Sequence, residues 1–132
     1  MASVGIIGAG SWGCALAWLL SNNKNQVTMW SALEDEIEML QKTHEHKDKL
    51  PGVLLQQEIQ FTTRLSEAIE GKDALVLAVP SPFTRSTAAK MAPFVKEGQK
   101  IINVAKGIEE ATLMTLSQII EQEIPQAEVA VL

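Results

Sequence analysis

Three glycines near the amino terminus have the spacing of a phosphate-binding turn. Gly8, Gly10 and Gly13 form the pattern G-x-G-x-x-G, directly after an apolar run and directly before a segment with helical periodicity. The first glycine would permit a tight turn, the second would let the backbone approach a pyrophosphate, and the third would allow close packing of helix on strand. Free amides and the positive end of the helix dipole would hold the anion. The pattern therefore predicts a dinucleotide-binding turn, with a ligand-free glycine turn as the alternative.

Two side chains inside this motif have more than one expected role. The Ser11 hydroxyl could donate a hydrogen bond to phosphate or help to cap the helix, and the sequence does not choose between them. Trp12 starts an apolar stripe, so its first expected role is packing, although its ring could also wall a cofactor cleft.

The residues after the second predicted strand bear on which dinucleotide binds. An acidic residue there normally binds the adenosine ribose of NAD, whereas a basic residue accommodates the extra phosphate of NADP. Ser31 and Ala32 are neither acidic nor basic, and Glu34 is expected too late in the chain, on a solvated helix start. The cofactor prediction is therefore NADP or NAD, with the choice open.

Two further loops are expected at the same edge of the sheet. Pro80 would end the fourth strand and direct its loop across the carboxyl edge, unless it is simply a turn. Lys106 follows the fifth strand, where its charge could pair with a substrate phosphate or a cofactor oxygen, although most lysines are only solvated.

The remaining residues with chemical potential have structural explanations. His44 and His46 lie in a lysine-rich segment with no obvious further ligand, so we expect a solvated loop and predict no metal site. Cys14 is the only cysteine, which excludes an internal disulfide and favours a reduced, cytoplasmic setting. We expect it to be a small packed residue inside the first helix.

Short β-branched runs alternate with longer segments of helical period, which is typical of a parallel sheet covered by helices. Six strands are predicted, at residues 3–7, 26–30, 58–62, 74–79, 100–104 and 128–132. The fold class is therefore α/β, a doubly wound (Rossmann) and mostly parallel sheet with helices on both faces. Right-handed crossovers would bring the carboxyl ends of the strands to one edge, where ligand should bind.

Apolar periodicity predicts the buried face of each helix. The first stripe consists of Trp12, Ala15, Leu16, Leu19 and Leu20, with Asn22 and Asn23 ending the helix. The second consists of Leu33, Ile37 and Leu40, and a late one of Leu113, Leu116, Ile120 and Ile124. The segment 83–95 is also expected to be helical.

Bulk composition bounds the classes of protein and partner. The 132 residues suit one domain, predicted over 1–132, and the hydrophobic fraction of 46% with 20% charged residues is that of a folding chain. A net charge of -5 argues against nucleic acid or an anionic membrane surface as partner. No run approaches the roughly 20 apolar residues of a membrane span, so no membrane insertion is expected.

A family resemblance rests on four segments together: 8–17, 50–53, 79–81 and 106–109. With their Gly-x-Gly-Ser-Trp-Gly, Leu-Pro-Gly-Val, Val-Pro-Ser and Lys-Gly-Ile-Glu elements, they closely resemble the bacterial type of NAD(P)-dependent glycerol-3-phosphate dehydrogenase. The resemblance implies reduction of dihydroxyacetone phosphate to sn-glycerol 3-phosphate for phospholipid synthesis. It also implies that Ser11 and Trp12 contact the cofactor and that Lys106 contacts cofactor and substrate.

Departures from the family and the length of the chain qualify these expectations. Cys14 replaces a common threonine, and 31–33 replaces a stretch that often holds a basic residue, which puts a preference for NADPH in doubt. The resemblance places the general acid, a lysine, in a helical carboxyl-terminal domain that this chain lacks. We therefore expect a fragment without catalysis of its own and leave a homodimer open, since family members are often dimers. The alternatives are a stand-alone nucleotide-sensing module and the nucleotide half of a ketopantoate or 2-hydroxyacid reductase.

Overall fold

Strands and helices alternate throughout the part of the chain that the computed structural model describes, residues 1–131. The order is β1 (Ser3–Ile7), α1 (Ser11–Asn22), β2 (Gln26–Trp30), α2 (Glu34–Thr43), β3 (Gln60–Thr62), α3 (Leu65–Ile69), β4 (Ala74–Leu77), α4 (Thr84–Met91), β5 (Lys100–Asn103), α5 (Leu116–Glu123) and β6 (Glu128–Val131). Short 3-10 turns, Ser81–Phe83 and Ala92–Phe94, flank α4.

All six strands form one parallel sheet with the spatial order β3-β2-β1-β4-β5-β6. This order confirms the predicted doubly wound Rossmann fold. The chain winds outward from β1 in one direction through β2 and β3, and from β4 in the other direction through β5 and β6. The loops after β1 and β4 therefore diverge and leave a crevice at the carboxyl edge, while β3 and β6 are the two edge strands.

Helices cover both faces of the sheet, because alternate side chains of each strand point to opposite faces. Val4 and Ile6 of β1 belong to the core cluster that includes residues of α1 and α2. Ile7 belongs to the opposite cluster, which includes residues of α3, α4 and α5. The sheet is thus buried on both sides, as predicted for a doubly wound sheet with helices on both faces.

The predicted buried stripe of α1 is only partly correct, because Leu16 and Leu20 are half-buried against the core but Trp12 and Leu19 are not. Trp12 is 57% exposed and Leu19 is 47% exposed, whereas the buried residues of the helix are Gly13, Cys14 and Ala17. The physical reason is the close approach of α1 to the sheet. A Cβ built on Gly13 would lie 2.4 Å from the carbonyl oxygen of Gly8, so only small side chains fit on this face.

The other helix predictions hold in part. Asn23 is the carboxyl-terminal cap of α1, and Ile37, Leu40, Leu116, Ile120 and Ile124 are buried as expected. The predictions that Leu33 and Leu113 are buried helix residues are wrong, because both are exposed and lie outside the helices. Leu113 has a φ of 61°. The segment 83–95 is helical, as α4 with its flanking turns, but the short α3 was not predicted.

Strand boundaries differ from the prediction by one or two residues. β3 begins at residue 60 rather than 58, β4 ends at 77 rather than 79, and β5 ends at 103 rather than 104. β6 ends at Val131, and the predicted last residue of that strand, Leu132, lies outside the described residues.

Gly5, in the middle of β1, is where α3 approaches the sheet most closely. A Cβ built there would lie 1.8 Å from the carbonyl oxygen of Ala68 in α3. Replacing Gly5 by alanine should therefore lower the free energy of unfolding by about 3 kcal/mol, because backbone atoms rather than a flexible side chain would have to move. Urea denaturation followed by circular dichroism measures this loss.

Gly10 provides the matched control for this substitution. A Cβ there would meet no heavy atom within 4 Å, and the φ of -76° suits an alanine. Gly10→Ala should change the free energy of unfolding by less than about 1 kcal/mol. Equal stabilities of the two variants would contradict the tight packing of α3 on β1.

Candidate nucleotide-binding site

A cleft of about 400 Å³ opens at the carboxyl edge of the sheet, at the point where the chain reverses its direction of winding. Its walls are the turn after β1 (residues 8–10), the end of β2 with its loop (30–33), the loop after β4 (78–80) and one face of the α4 region. Glu36 and Lys49 complete the lining. This is where a doubly wound sheet binds its ligands.

The glycine turn has the geometry that its sequence predicts. Gly8 has a φ of 126°, and a Cβ on it would lie 2.6 Å from the carbonyl oxygen of Ala78 in the neighbouring loop. Its N–H donates to the Trp30 carbonyl at 2.9 Å, which fixes the turn against β2. Gly8 and Gly10 line the cleft, and Gly13 lies beneath them, against Gly8.

The amino end of α1 is suited to an anion. Gly10 is the cap residue and has no side chain that could accept from the helix amides, so the first N–H groups have neither an intrahelical acceptor nor a side-chain cap. The Cβ position of Gly10 projects into open space, the space that a pyrophosphate close to the backbone would take. The residues present therefore fit a dinucleotide phosphate.

Ser11 and Trp12 are placed differently from what the sequence suggested. Ser11 does not cap the helix, because Gly10 occupies the cap position; its hydroxyl donates to the Lys49 carbonyl at 2.7 Å. Trp12 does not pack in the core, and its exposed side chain lies outside the cleft lining. Both residues nevertheless belong to the first turn of α1, beside Gly10.

A hydrogen bond connects the loops after β4 and β5, which lie side by side because the two strands are parallel neighbours. The Ser81 hydroxyl donates to the Lys106 carbonyl at 2.9 Å. Pro80 lines the cleft, whereas Lys106 is exposed and does not line it. Lys106 thus lies on a neighbouring rim, with its backbone held one residue away from Pro80.

An arginine that the sequence did not single out anchors the segment after Lys106. Arg85 of α4 contacts both carboxylate oxygens of Glu109, at 2.8 and 2.9 Å, and it also reaches Glu123 of α5 at 2.7 Å. These bonds raise the pKa of Arg85. Hydrogen bonds from Arg85 and then Thr112 lower the pKa of Glu109 to about 2. The loop 106–115 is therefore tied to two helices by charge-assisted hydrogen bonds.

A second polar cluster lies at the β2 side of the cleft. The buried Ser31 hydroxyl accepts from the Leu33 N–H at 3.1 Å and donates to the carboxylate of Glu36. The other Glu36 oxygen is 2.6 Å from Nε2 of His46, and Nδ1 of His46 faces the Lys49 N–H at 3.2 Å. The prediction of a solvated loop is wrong for His46, which is only 3% exposed. Glu34 begins α2 and is exposed, as expected.

Cys14 is buried against the sheet, as the sequence predicted, with its thiol 3.5 Å from the Ala9 carbonyl. Burial, and secondarily the charge of Glu36, raises the pKa of this thiol to about 12. It is therefore a packing residue without thiolate chemistry near neutral pH. Among residues 1–131, no three His, Cys, Asp or Glu side chains converge as a metal site would require, and no helix has the length and apolarity to cross a membrane.

A larger polar groove of about 720 Å³ lies at the opposite, amino end of the strands. It includes Ser21 and Asn22, the last residues of α1, so the negative end of the helix dipole points toward it. The groove also includes Lys24, Lys72 and Glu58, so charges of both signs line it.

Comparison with known proteins decides the family. The family described as NAD-dependent glycerol-3-phosphate dehydrogenase N-terminus matches residues 3–132. The chain belongs to this family. The resemblance drawn from the sequence motifs is thereby confirmed.

Relatives within the glycerol-3-phosphate dehydrogenase family are longer than this chain. Over all 132 residues the chain is 65% identical to a glycerol-3-phosphate dehydrogenase [NAD(P)+] of Agathobacter rectalis, of which it covers 39%. It is 48% identical over 124 residues to one from Lactobacillus delbrueckii subsp. bulgaricus, of which it covers 36%. The chain thus spans well under half the length of these curated relatives.

Solved structures share the fold. A glycerol-3-phosphate dehydrogenase from Coxiella burnetii matches 98% of this chain with a TM-score of 0.92 at 26% identity, over 40% of its own length. A ketopantoate reductase from Ralstonia eutropha matches with a TM-score of 0.75 at 19% identity, covering 98% of this chain and 40% of its own. The second likeness shows the fold alone.

The ion pair of Arg85 with Glu109 gives a prediction about pH. Because the folded pKa of Glu109, about 2, lies below the ordinary glutamate value of 4.5, ionised Glu109 stabilises the fold above pH 4.5, and this stabilisation is lost as the pH falls toward 2. Carboxyl ¹³C NMR should show one glutamate with a midpoint near 2. Glu109→Gln should remove that resonance, and Arg85→Gln should return its midpoint toward 4.5. A Glu109 midpoint near 4.5 in the unmodified chain would contradict the ion pair.

Proposed function

We propose that residues 1–132 are the cofactor-binding domain of an NAD(P)-dependent glycerol-3-phosphate dehydrogenase. The complete enzyme would reduce dihydroxyacetone phosphate to sn-glycerol 3-phosphate for phospholipid synthesis. The observation that carries the proposal is the open space beside the Gly10 backbone, at the amino end of α1 and beside the cleft, in a chain of this family. The proposed cofactor is NAD or NADP.

Each residue of the site has a proposed task in binding. Gly8 and Gly13 keep the turn compact, and Gly10 lets the pyrophosphate approach the free amides of Ser11 and Trp12. The Ser11 contact would run through its backbone N–H, because its hydroxyl proton is already donated to Lys49. Pro80 would border the nicotinamide end of the cleft.

Lys106 has a proposed task in orienting substrate. The nicotinamide supplies the hydride when bound, and the protein's part is to place the acceptor beside it. Lys106 stands on the rim next to Pro80, where its ammonium would attract the anionic phosphate of dihydroxyacetone phosphate. The contact of Arg85 with Glu109 supports this task, because it restrains the segment that carries Lys106.

Catalysis itself is assigned to the whole enzyme. The family resemblance places the general acid in a helical carboxyl-terminal domain, so residues 1–132 alone would bind cofactor without turning over substrate. A cytoplasmic location is proposed from the single, buried Cys14, which forms no disulfide. A homodimer of the complete enzyme is proposed from the family resemblance alone.

The cofactor site is tested by titrating the purified chain with NADH and NADPH, following quenching of tryptophan fluorescence. Trp30 lines the cleft and Trp12 lies in the first turn of α1. A bound nicotinamide dinucleotide should therefore quench the emission of both tryptophans, and the quenching should saturate as the binding site fills. Gly10→Ala should bind both dinucleotides at least about tenfold more weakly at an unchanged free energy of unfolding, because its methyl group fills the open space that the pyrophosphate would take. A folded chain that binds neither dinucleotide at millimolar concentration would refute the proposal.

Dehydrogenase activity is tested with a chimera. This chain would replace the matching 39% of the Agathobacter rectalis enzyme, to which it is 65% identical. The chimera should oxidise NADH or NADPH only when dihydroxyacetone phosphate is added. Lys106→Met should lower kcat/KM by about 100-fold, as loss of a group that stabilises developing charge does.

Lys100→Met is the matched control for this chimera, because Lys100 begins β5 at the opposite edge of the sheet. It should leave kcat/KM unchanged. A folded chimera that binds cofactor but shows no turnover would argue for a nucleotide-sensing module instead.

A further inference from the structure

We propose that the carboxylate of Glu36 selects NAD(H) over NADP(H) in this chain. The inference rests on the proposed function, since it concerns the adenosine end of the same cleft. It assigns a role to a residue in the first turn of α2, six positions beyond the end of β2.

Glu36 reaches the place where a selecting acid is needed. It lines the cleft together with Ser31 and Ala32, the residues directly after β2, where the ribose of a bound dinucleotide lies in this fold. Ser31 is uncharged and buried, and its hydroxyl donates to Glu36 rather than to the cleft. The acid that is missing from the end of β2 is therefore supplied from the following helix.

The hydrogen bonds assign a negative charge to this carboxylate. Nδ1 of His46 accepts from the Lys49 N–H, so the ring proton lies on Nε2 and is donated to Glu36. In this tautomer His46 is a neutral donor, and the Ser31 hydroxyl is a second neutral donor. Both donors orient the Glu36 carboxylate, and neither cancels its charge.

Partial burial makes this charge effective. The Glu36 side chain is 15% exposed, and His46 behind it is 3% exposed, so solvent screens the carboxylate poorly. Each carboxylate oxygen makes one hydrogen bond and keeps a lone pair, which can accept from a ribose 2'-hydroxyl. The 2'-phosphate of NADP would instead bring a like charge to the same place.

Two lysines also line the cleft, and their positive charges could favour the 2'-phosphate of NADPH. Lys49 lies beside the glycine turn, through its carbonyl contact with Ser11, and Lys90 lies on the α4 wall. We assign their charges to the pyrophosphate that both dinucleotides share, so they would raise both affinities without discriminating. Glu36 is the acidic residue among the residues that line the cleft.

The experiment is a parallel titration of the full chain with NADH and NADPH. The unmodified chain should bind NADH at least about tenfold more tightly than NADPH. Glu36→Gln should tighten NADPH binding about tenfold while NADH changes only a few-fold, because the repulsion is removed and an amide acceptor remains. Lys49→Gln should weaken both by a similar factor.

Glu34→Gln is the matched control, because Glu34 belongs to the same helical turn but does not line the cleft. It should leave the affinity ratio unchanged. A ratio that does not move in a folded Glu36→Gln chain, or that moves as far in Glu34→Gln, overturns the inference. The inference is also overturned if the unmodified chain binds NADPH more tightly than NADH and Lys49→Gln abolishes that preference. Lys49 would then be the selecting residue.

Failure of the inference is an affinity ratio that Glu36→Gln leaves unchanged in a chain that still binds a dinucleotide. Absence of binding by either dinucleotide would instead refute the proposed function, so the two failures are distinguishable.

Discussion

The close approach of α1 to the sheet is the constraint on which the site depends. A side chain at Gly13 would push α1 away from the Gly8 carbonyl, and a side chain at Gly8 would push the turn away from the Ala78 carbonyl in the loop after β4. This contact sets the direction of α1 and hence the point at which its unpaired amides meet the cleft. It also forces the bulky residues of α1, Trp12 and Leu19, onto the outer surface.

The two ends of the cleft are connected by one segment, residues 46–49. The Lys49 carbonyl accepts from Ser11 in the first turn of α1, the Lys49 N–H donates to His46, and His46 holds Glu36. The position of the glycine turn and the orientation of the Glu36 carboxylate in α2 are therefore set by the same stretch of backbone. A displacement of that stretch would change phosphate and ribose contacts together.

Features that depend on local sequence could be predicted, and those that depend on distant contacts could not. Apolar runs located all six strands, and the spacing of Gly8, Gly10 and Gly13 located the turn, because each signal is contained in a few neighbouring residues. The buried face of α1 was predicted only in part, because the exposed Trp12 and Leu19 continue the same 3.6-residue pattern as the half-buried Leu16 and Leu20. Burial of His46 depends on Glu36, ten residues away, and the ion pair of Glu109 depends on Arg85, 24 residues away. The residues next to His46 and Glu109 in the sequence do not indicate these distant partners.

The edge strand β6 bears on how the isolated chain behaves in solution. It pairs with β5 on one side, and the backbone groups of its other side face outward, with Val131 68% exposed. In the isolated chain, the outer side of β6 offers a template to any extended peptide, including a second copy of the chain. Glu128 provides a charge near its start, but the apolar end has none. Association through this strand would therefore limit the concentration at which the isolated chain stays monomeric.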